Sequence, residues 1–269
     1  MGGVMVGRWW VVGLFGVVLL LLGGCAGDPT DRPERGRPAP STAPSTGPAL
    51  PRLLPAPSPP REKPRLPRPD GTAVAPSVDR VPTRDRVVFL TIDDGIAKDP
   101  EFARLMRQLR VPFSMFLTDS MAGDDYAYFE RLRHGGNRVQ NHTLTHPSLT
   151  GLPYARQRAE ICGQQDRLKR EFGQSPTLFR PPRGHFDATT LRAVADCGLR
   201  ASVMWGVNMQ PDGLRYDHGG DRLRPGEIVL FHFFPADRLG GRTLTELTVE
   251  LLRTITDQGY AVARIEDYL

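Results

Sequence analysis

Cysteine is scarce in this 269-residue chain, with three in all, at Cys25, Cys162 and Cys197. Excess positive charge is also scarce once it is located. The formal net charge is +5, but residues 28–80 carry nine Lys/Arg against six Asp/Glu and Arg8 adds one more. Residues 81–269 therefore hold 25 basic and 24 acidic side chains. A nearly neutral body, with no basic cluster interleaved with aromatics, excludes an electrostatic nucleic-acid surface. No Gly-x-Gly-x-x-Gly follows the first strand, which argues against a dinucleotide fold. Internal repeats are absent as well.

The apolar run Trp9–Leu22, behind Arg8, has 14 residues, within the range of a signal core and short for a membrane span. It ends in Leu22-Gly23-Gly24-Cys25, which resembles a bacterial lipobox with Cys25 as the lipidated residue. An ordinary secretion signal and an uncleaved anchor are the alternatives. All three place the rest of the chain outside the cytoplasm, with the lipidated form held on the outer face of the cell membrane. Residues 26–80 are low-complexity; of the 26 prolines, 15 fall within 28–80. Such a segment buries too little apolar surface to offset chain entropy, so a disordered linker is expected, as a passive spacer or a tether reaching roughly 160 Å.

From 81 onward the pattern alternates between strands and helices. Strands are expected at 87–92, 112–117, 138–141, 177–180, 201–205, 227–233 and 260–265, and helices at 99–109, 126–134, 154–172, 188–197 and 244–258. This alternation predicts an α/β fold, a parallel sheet with helices outside, closed or nearly closed into a barrel of about seven strands. If Cys25 carries lipid, Cys162 and Cys197 remain as a pair on outer helices. In an oxidising compartment they form either a disulfide or two buried thiols.

The chemistry-bearing residues begin at Thr91-Ile92-Asp93-Asp94-Gly95, at the end of an apolar run. Adjacent carboxylates repel and are costly to bury, although Asp-Gly also makes an ordinary turn. His142-Thr143-Leu144-Thr145-His146 has the spacing to bring two imidazoles to one metal, but Pro147 argues against a helix there. With Asp94 as the third ligand, two His and one carboxylate with an open position suit a catalytic divalent ion, zinc first, cobalt or another first-row ion next. Phe179-Arg180-Pro181-Pro182-Arg183-Gly184, Trp205-Gly206-Val207-Asn208 and Leu230-Phe231-His232 follow. Singly, Arg180 reads equally as a surface arginine, Trp205 as core and His232 as a satisfied core histidine.

In this order these motifs resemble the polysaccharide deacetylase family, the NodB homology domain of carbohydrate esterase family four, over about residues 84–266. The resemblance implies a single catalytic domain, a distorted (β/α) barrel with its site at the C-terminal ends of the strands. It implies Asp94, His142 and His146 as metal ligands, Asp93 as general base held by Arg180, the backbone N–H of Arg183 at the oxyanion, and His232 as general acid. Pro182 and Trp205 would face the sugar. The implied substrate is an N-acetylated cell-wall glycan, with peptidoglycan expected, bound by a monomer. The alternatives are an O-acetyl esterase of the xylan type and a non-catalytic wall-binding protein. Ile92 replaces the family's Phe, Arg183 replaces an aromatic, and the fourth motif is broken: Asn208 and Pro211-Asp212 stand where carboxylates and Trp are expected. Asp212 is then the nearest candidate carboxylate to keep His232 protonated.

Overall fold

The computed structural model describes residues 50–63, 66 and 74–269. The expected export signal, Cys25 and the first half of the Pro-rich stretch lie outside the described residues.

The elements are β1 (Ser77–Val78), β2 (Val87–Asp94), α1 (Pro100–Leu109), β3 (Ser114–Leu117), α2 (Asp119–Ala122), α3 (Tyr126–Arg133), β4 (Arg138–Asn141), α4 (Tyr154–Phe172), β5 (Leu178–Phe179), α5 (Ala188–Asp196), β6 (Ala201–Val203), β7 (Val207–Gln210), β8 (Gly213–Tyr216), β9 (Ile228–His232), α6 (Leu244–Asp257) and β10 (Ala261–Ala263). They build one sheet in the order β1-β6-β5-β4-β3-β2-β9-β7-β8. β10 pairs with the first half of β2 at Val87–Phe89, while β3 takes its second half at Thr91–Asp94. The sheet curls into a half-barrel with helices outside, the distorted (β/α) barrel that the sequence predicts.

β2 is buried along its whole length because both of its faces are covered. Alternation sends Val87 and Phe89 inward, against Phe116, Leu178, Val203 and Ile228. Val88, Leu90 and Ile92 point outward, against Phe102 and Met106 of α1, Phe129 of α3 and Leu251 of α6. Continuing inward, Thr91 and Asp93 lie on the barrel's inner face.

Two expectations need correction. The strands number ten among the described residues, and they are not all parallel: β7 and β8 form an antiparallel hairpin through Pro211-Asp212. Short polar strands such as Gly213–Tyr216 carry no apolar run that would reveal them. The folded part also begins before 81. Pro51 is buried, Leu53 packs against the outer core, and Lys63 Nζ donates to the Leu269 carbonyl at 2.8 Å. Ala75 N–H donates to Leu191 O at 3.0 Å, and β1 pairs with β6. Proline restricts the unfolded chain, so docking such a segment costs less entropy than its composition suggests.

Cys162 on α4 and Cys197 at the end of α5 form a disulfide, with Cα atoms 5.1 Å apart. Its 35-residue separation corresponds to about 3–4 kcal/mol in the chain-entropy model. Cys197→Ser should lower the unfolding free energy by roughly that amount in denaturant titrations. Two alkylatable thiols per wild-type chain under denaturing, non-reducing conditions would refute the bond.

Candidate active site

At the C-terminal ends of β2, β4, β5 and β9 six of the expected side chains converge. The register places Asp93 of β2 beside His232 of β9. Arg180, one residue past β5, reaches under them with its side chain fully buried. Its Nη1 donates to Asp93 Oδ1 at 2.7 Å and to Thr91 Oγ1 at 2.9 Å. Nε donates to the Val203 carbonyl at 3.0 Å and Nη2 to that of Met204 at 3.1 Å. Rings of Phe116 and Trp205 lie 4.4 and 5.6 Å from its guanidinium carbon. Every nitrogen is thus occupied, which is what a buried guanidinium requires.

Neighbouring residues in a strand face opposite sides. Asp94 nevertheless joins the inner site, because it leaves β2 in the left-handed region at φ 77°. Gly95 follows at φ 104°, and a Cβ there would meet that of Ala122 at 2.8 Å. Asp94 Oδ1 lies 3.3 Å from His146 Nε2 and 3.5 Å from His142 Nε2. Asp93 Oδ2 is 3.7 Å from the same His142 nitrogen. The other ring nitrogen of His142, Nδ1, is 2.7 Å from Arg180 O. A carbonyl only accepts, so Nδ1 carries the proton and Nε2 offers a lone pair towards Asp94.

The His-x-x-x-His segment is not a helix. Thr143 and His146 take φ of 70° and 59°, and Thr143 Oγ1 accepts from His146 N–H. α4 holds this loop from behind. The Glu160 carboxylate accepts from Thr145 N–H at 2.9 Å and Thr145 Oγ1 at 2.8 Å, and Glu160 O accepts from Leu144 N–H. Asn141 Oδ1 accepts from Thr143 N–H, and its Nδ2 donates to Ile161 O. Thr118 Oγ1 donates to His142 O at 2.7 Å. Gly163 permits the close approach, since a Cβ there would meet Leu144 Cδ1 at 2.6 Å. Sequence reasoning missed these supports. Their signal is the polar set Gln157, Glu160, Gln164 and Gln165, buried on the same helix face as Ile161 and Leu168.

The site's electrostatics follow from burial. Burial raises Asp93 against the opposing charge of Arg180, which makes it a stronger base. Asp94 rises from 3.8 to about 7, through burial and then the Asp93 charge. Burial lowers His142 well below its ordinary value and lowers His146 too, so both imidazoles are neutral at pH 7. Asp94 Oδ1 is a buried oxygen with no hydrogen-bond partner, and one ligand atom from each of Asp94, His142 and His146 lies within 4.8 Å of the others. An orphaned carboxylate oxygen facing two neutral imidazoles fits a divalent cation.

Around this floor the other predicted residues divide. Arg183 is exposed at the rim, at φ 58° between Pro182 and Gly184, and its charge acts on His146. Trp205 packs by Gly184 and Arg180. Pro182 is buried, so it shapes the turn that presents Arg183 and offers the sugar no surface. Asp212 sits in the β7–β8 turn, exposed and ion-paired with Arg215. The carboxylate acting on His232 is Asp93, and burial still lowers His232 from 6.5 to about 4.

A family model described as polysaccharide deacetylase matches residues 80–202, which hold Asp93, Asp94, His142, His146 and Arg180. An uncharacterized protein of Streptomyces coelicolor is 50% identical over 74% of this chain and 79% of its own length. The chain belongs to the polysaccharide deacetylase family. Peptidoglycan-N-acetylmuramic acid deacetylase PdaA of Bacillus subtilis is 25% identical over 70% of this chain and 73% of its own. Among solved structures, a CE4 family pseudoenzyme from Bacillus anthracis superposes with a TM-score of 0.58 at 20% identity, covering 71% of this chain and 68% of the other.

The Asp94 shift predicts a signed pH effect. A carboxyl raised in the folded state destabilises that state once ionised. Metal-free protein should therefore lose stability as pH rises from about 4 to about 7. Added zinc should raise Tm more at pH 8 than at pH 5, because Asp94 must ionise to become a ligand. Thermal melts with and without zinc check this, and His142→Ala, still folded, should abolish the rise.

Proposed function

We propose that this polysaccharide deacetylase is a metal-dependent hydrolase that removes N-acetyl groups from peptidoglycan outside the cytoplasm, releasing acetate. The observation that carries the reading is the juxtaposition of a ligand set, Asp94, His142 and His146, with a base, Asp93, fixed by a fully buried arginine. A two-His, one-carboxylate set favours zinc, with cobalt or another first-row ion next. Bound there, a divalent ion would supply Lewis acidity towards the acetyl carbonyl.

The protein's own residues supply the remainder. Asp93 accepts the proton of the attacking water, and Arg180 holds its carboxylate in place. The Arg183 N–H, turned by the left-handed backbone at 183–184, stabilises the charge on the former carbonyl oxygen. His232 faces Asp93 across the β2–β9 register and protonates the departing amine, a poor leaving group as an anion. With a resting value near 4, it is neutral at pH 7 and must gain its proton during turnover or from acidic solution.

Two arginines support an acidic glycan. Arg183 and Arg238 are exposed, and their charges act on His146 and Asp94 respectively. Cationic groups at a sugar-facing rim favour peptidoglycan, which bears carboxylates, over neutral chitin or xylan. The likeness to a peptidoglycan-N-acetylmuramic acid deacetylase points the same way. A second reading, a wall-binding protein without turnover, is favoured by the missing carboxylate at Asn208, whose Oδ1 is buried without a partner. The lipobox-like Leu22–Cys25 segment supports attachment to the outer face of the membrane through lipid on Cys25. Cys25→Ala should then abolish lipid labelling in a bacterial host.

Acetate release from a panel of peptidoglycan fragments, N-acetylglucosamine oligomers and acetylated xylan, with and without chelator, tests the activity. Release from peptidoglycan that chelator abolishes and zinc restores is expected. Release from xylan alone would identify an esterase, and no release a binding protein. Because Asp93 alone leaves His232 near 4, kcat should favour mildly acidic pH. Asp212→Asn should leave the profile within about twofold of wild type, whereas His232→Ala should cost on the order of a hundredfold in kcat.

A further inference from the structure

His232 lacks the polar partner that would fix its ring. Among the described residues, no side chain or carbonyl hydrogen-bonds its ring nitrogens. Asn208 pairs in register with Leu230, two residues earlier on β9, and its amide oxygen is without a partner. What touches the imidazole is a second ring. Phe234 stacks on it with centroids 4.6 Å apart and planes 16° from parallel.

The backbone is built to hold that stack. Phe233 N–H donates to Asp93 O at 3.0 Å, and Phe233 O accepts from Ala97 N–H at 2.8 Å. The Phe233 ring is fully buried, edge-on to Phe102 and Phe129 at 5.6 and 5.4 Å. With Phe233 pinned, a three-residue turn, closed by Phe234 N–H to His232 O at 2.9 Å, folds Phe234 back over the imidazole. Arg238, on the short 3-10 turn that follows, places its guanidinium carbon 5.4 Å from the centre of the Phe234 ring. The Phe234 ring is therefore held from both ends of its segment, and the imidazole plane is held by it.

We propose that Phe234 is the positioning residue for His232, orienting the acid by ring stacking where Asn208 stands in place of the expected carboxylate. Resting on the deacetylase reading, this assigns Phe234 an effect on turnover rather than on sugar binding. Stacking fixes the ring plane, so the site keeps a directed imidazole.

The experiment compares wild type, Phe234→Leu and Phe234→Tyr as zinc-loaded full-length chains, on whichever panel glycan wild type deacetylates best. Phe234→Leu should lower kcat by about tenfold or more, the scale of a displaced catalytic group, with KM and zinc content within about twofold of wild type. Phe234→Tyr, which keeps the ring, should restore kcat. A raised KM with unchanged kcat would make Phe234 a sugar platform and overturn the proposal, as would unchanged kinetics. A readout independent of activity is the NMR signal of the His232 ring protons in histidine-labelled protein, assigned with His232→Ala. The stacked ring should shift them upfield in wild type and in Phe234→Tyr. Unshifted protons in wild type overturn the proposal even if no glycan is a substrate. If Phe234→Leu fails to fold, the Phe234→Tyr kinetics and the wild-type spectrum decide it.

Discussion

The buried pair between Arg180 and Asp93 is the constraint around which the site is arranged. Burying a carboxylate and a guanidinium costs more than their attraction returns unless every remaining donor finds a partner. Here the partners are four residues of the sheet and its ends: Thr91 on β2, Asp93 near its end, and the carbonyls of Val203 on β6 and Met204 just after it. The pair therefore spans the half-barrel and locks its strand ends together. It also leaves the Arg180 carbonyl aimed at His142 Nδ1, so the residue that holds the proposed base also sets the tautomer of a candidate metal ligand. Removing one partner would strand the other's charge in the interior, a loss of about 3–5 kcal/mol by analogy with other buried pairs.

Strain gathers at the same end of the barrel. Asp94, Thr143, His146 and Arg183 are four of the five non-glycine residues at positive φ among the described residues, and all four belong to the site. Each such residue costs on the order of 1–3 kcal/mol unless its surroundings impose it. The surroundings do impose it: α4 grips the histidine loop through Glu160 and Ile161, and α2 packs against Gly95. The disulfide ties α4 to the end of α5, adding covalent stiffness to the helix that supports two ligands.

The proposed acid, His232, is held by weaker forces than the proposed base, Asp93. Asp93 is fixed by a charged hydrogen bond, His232 by aromatic contact and strand register. Burial lowers the imidazole while the same burial raises both carboxylates, so the protonation pattern at rest is neutral histidines beside proton-loving acids. That pattern suits cation capture and proton abstraction at once, and it leaves amine protonation as the step most exposed to solution pH.

The amino-acid sequence alone determined the order of the longer β and α elements from Val87 to Ala263, though not α2 or the β7–β8 hairpin, because apolar periodicity and helix-stopping glycines are local signals. It also singled out Asp93, Asp94, His142, His146, Arg180 and His232, since each stands at or soon after a strand's end in a motif short enough to recognise. Tertiary structure alone decided what those motifs meet. The Pro-rich stretch docks because Leu53 and Val78 find apolar partners far along the chain. The β7–β8 hairpin forms by pairing with β9, and its turn pairs Asp212 with Arg215. Glu160 and Phe234 acquire their roles only when α4 and the segment after β9 are brought against the site. Burial, cross-strand register and ring stacking depend on residues distant in sequence, and no local pattern encodes them.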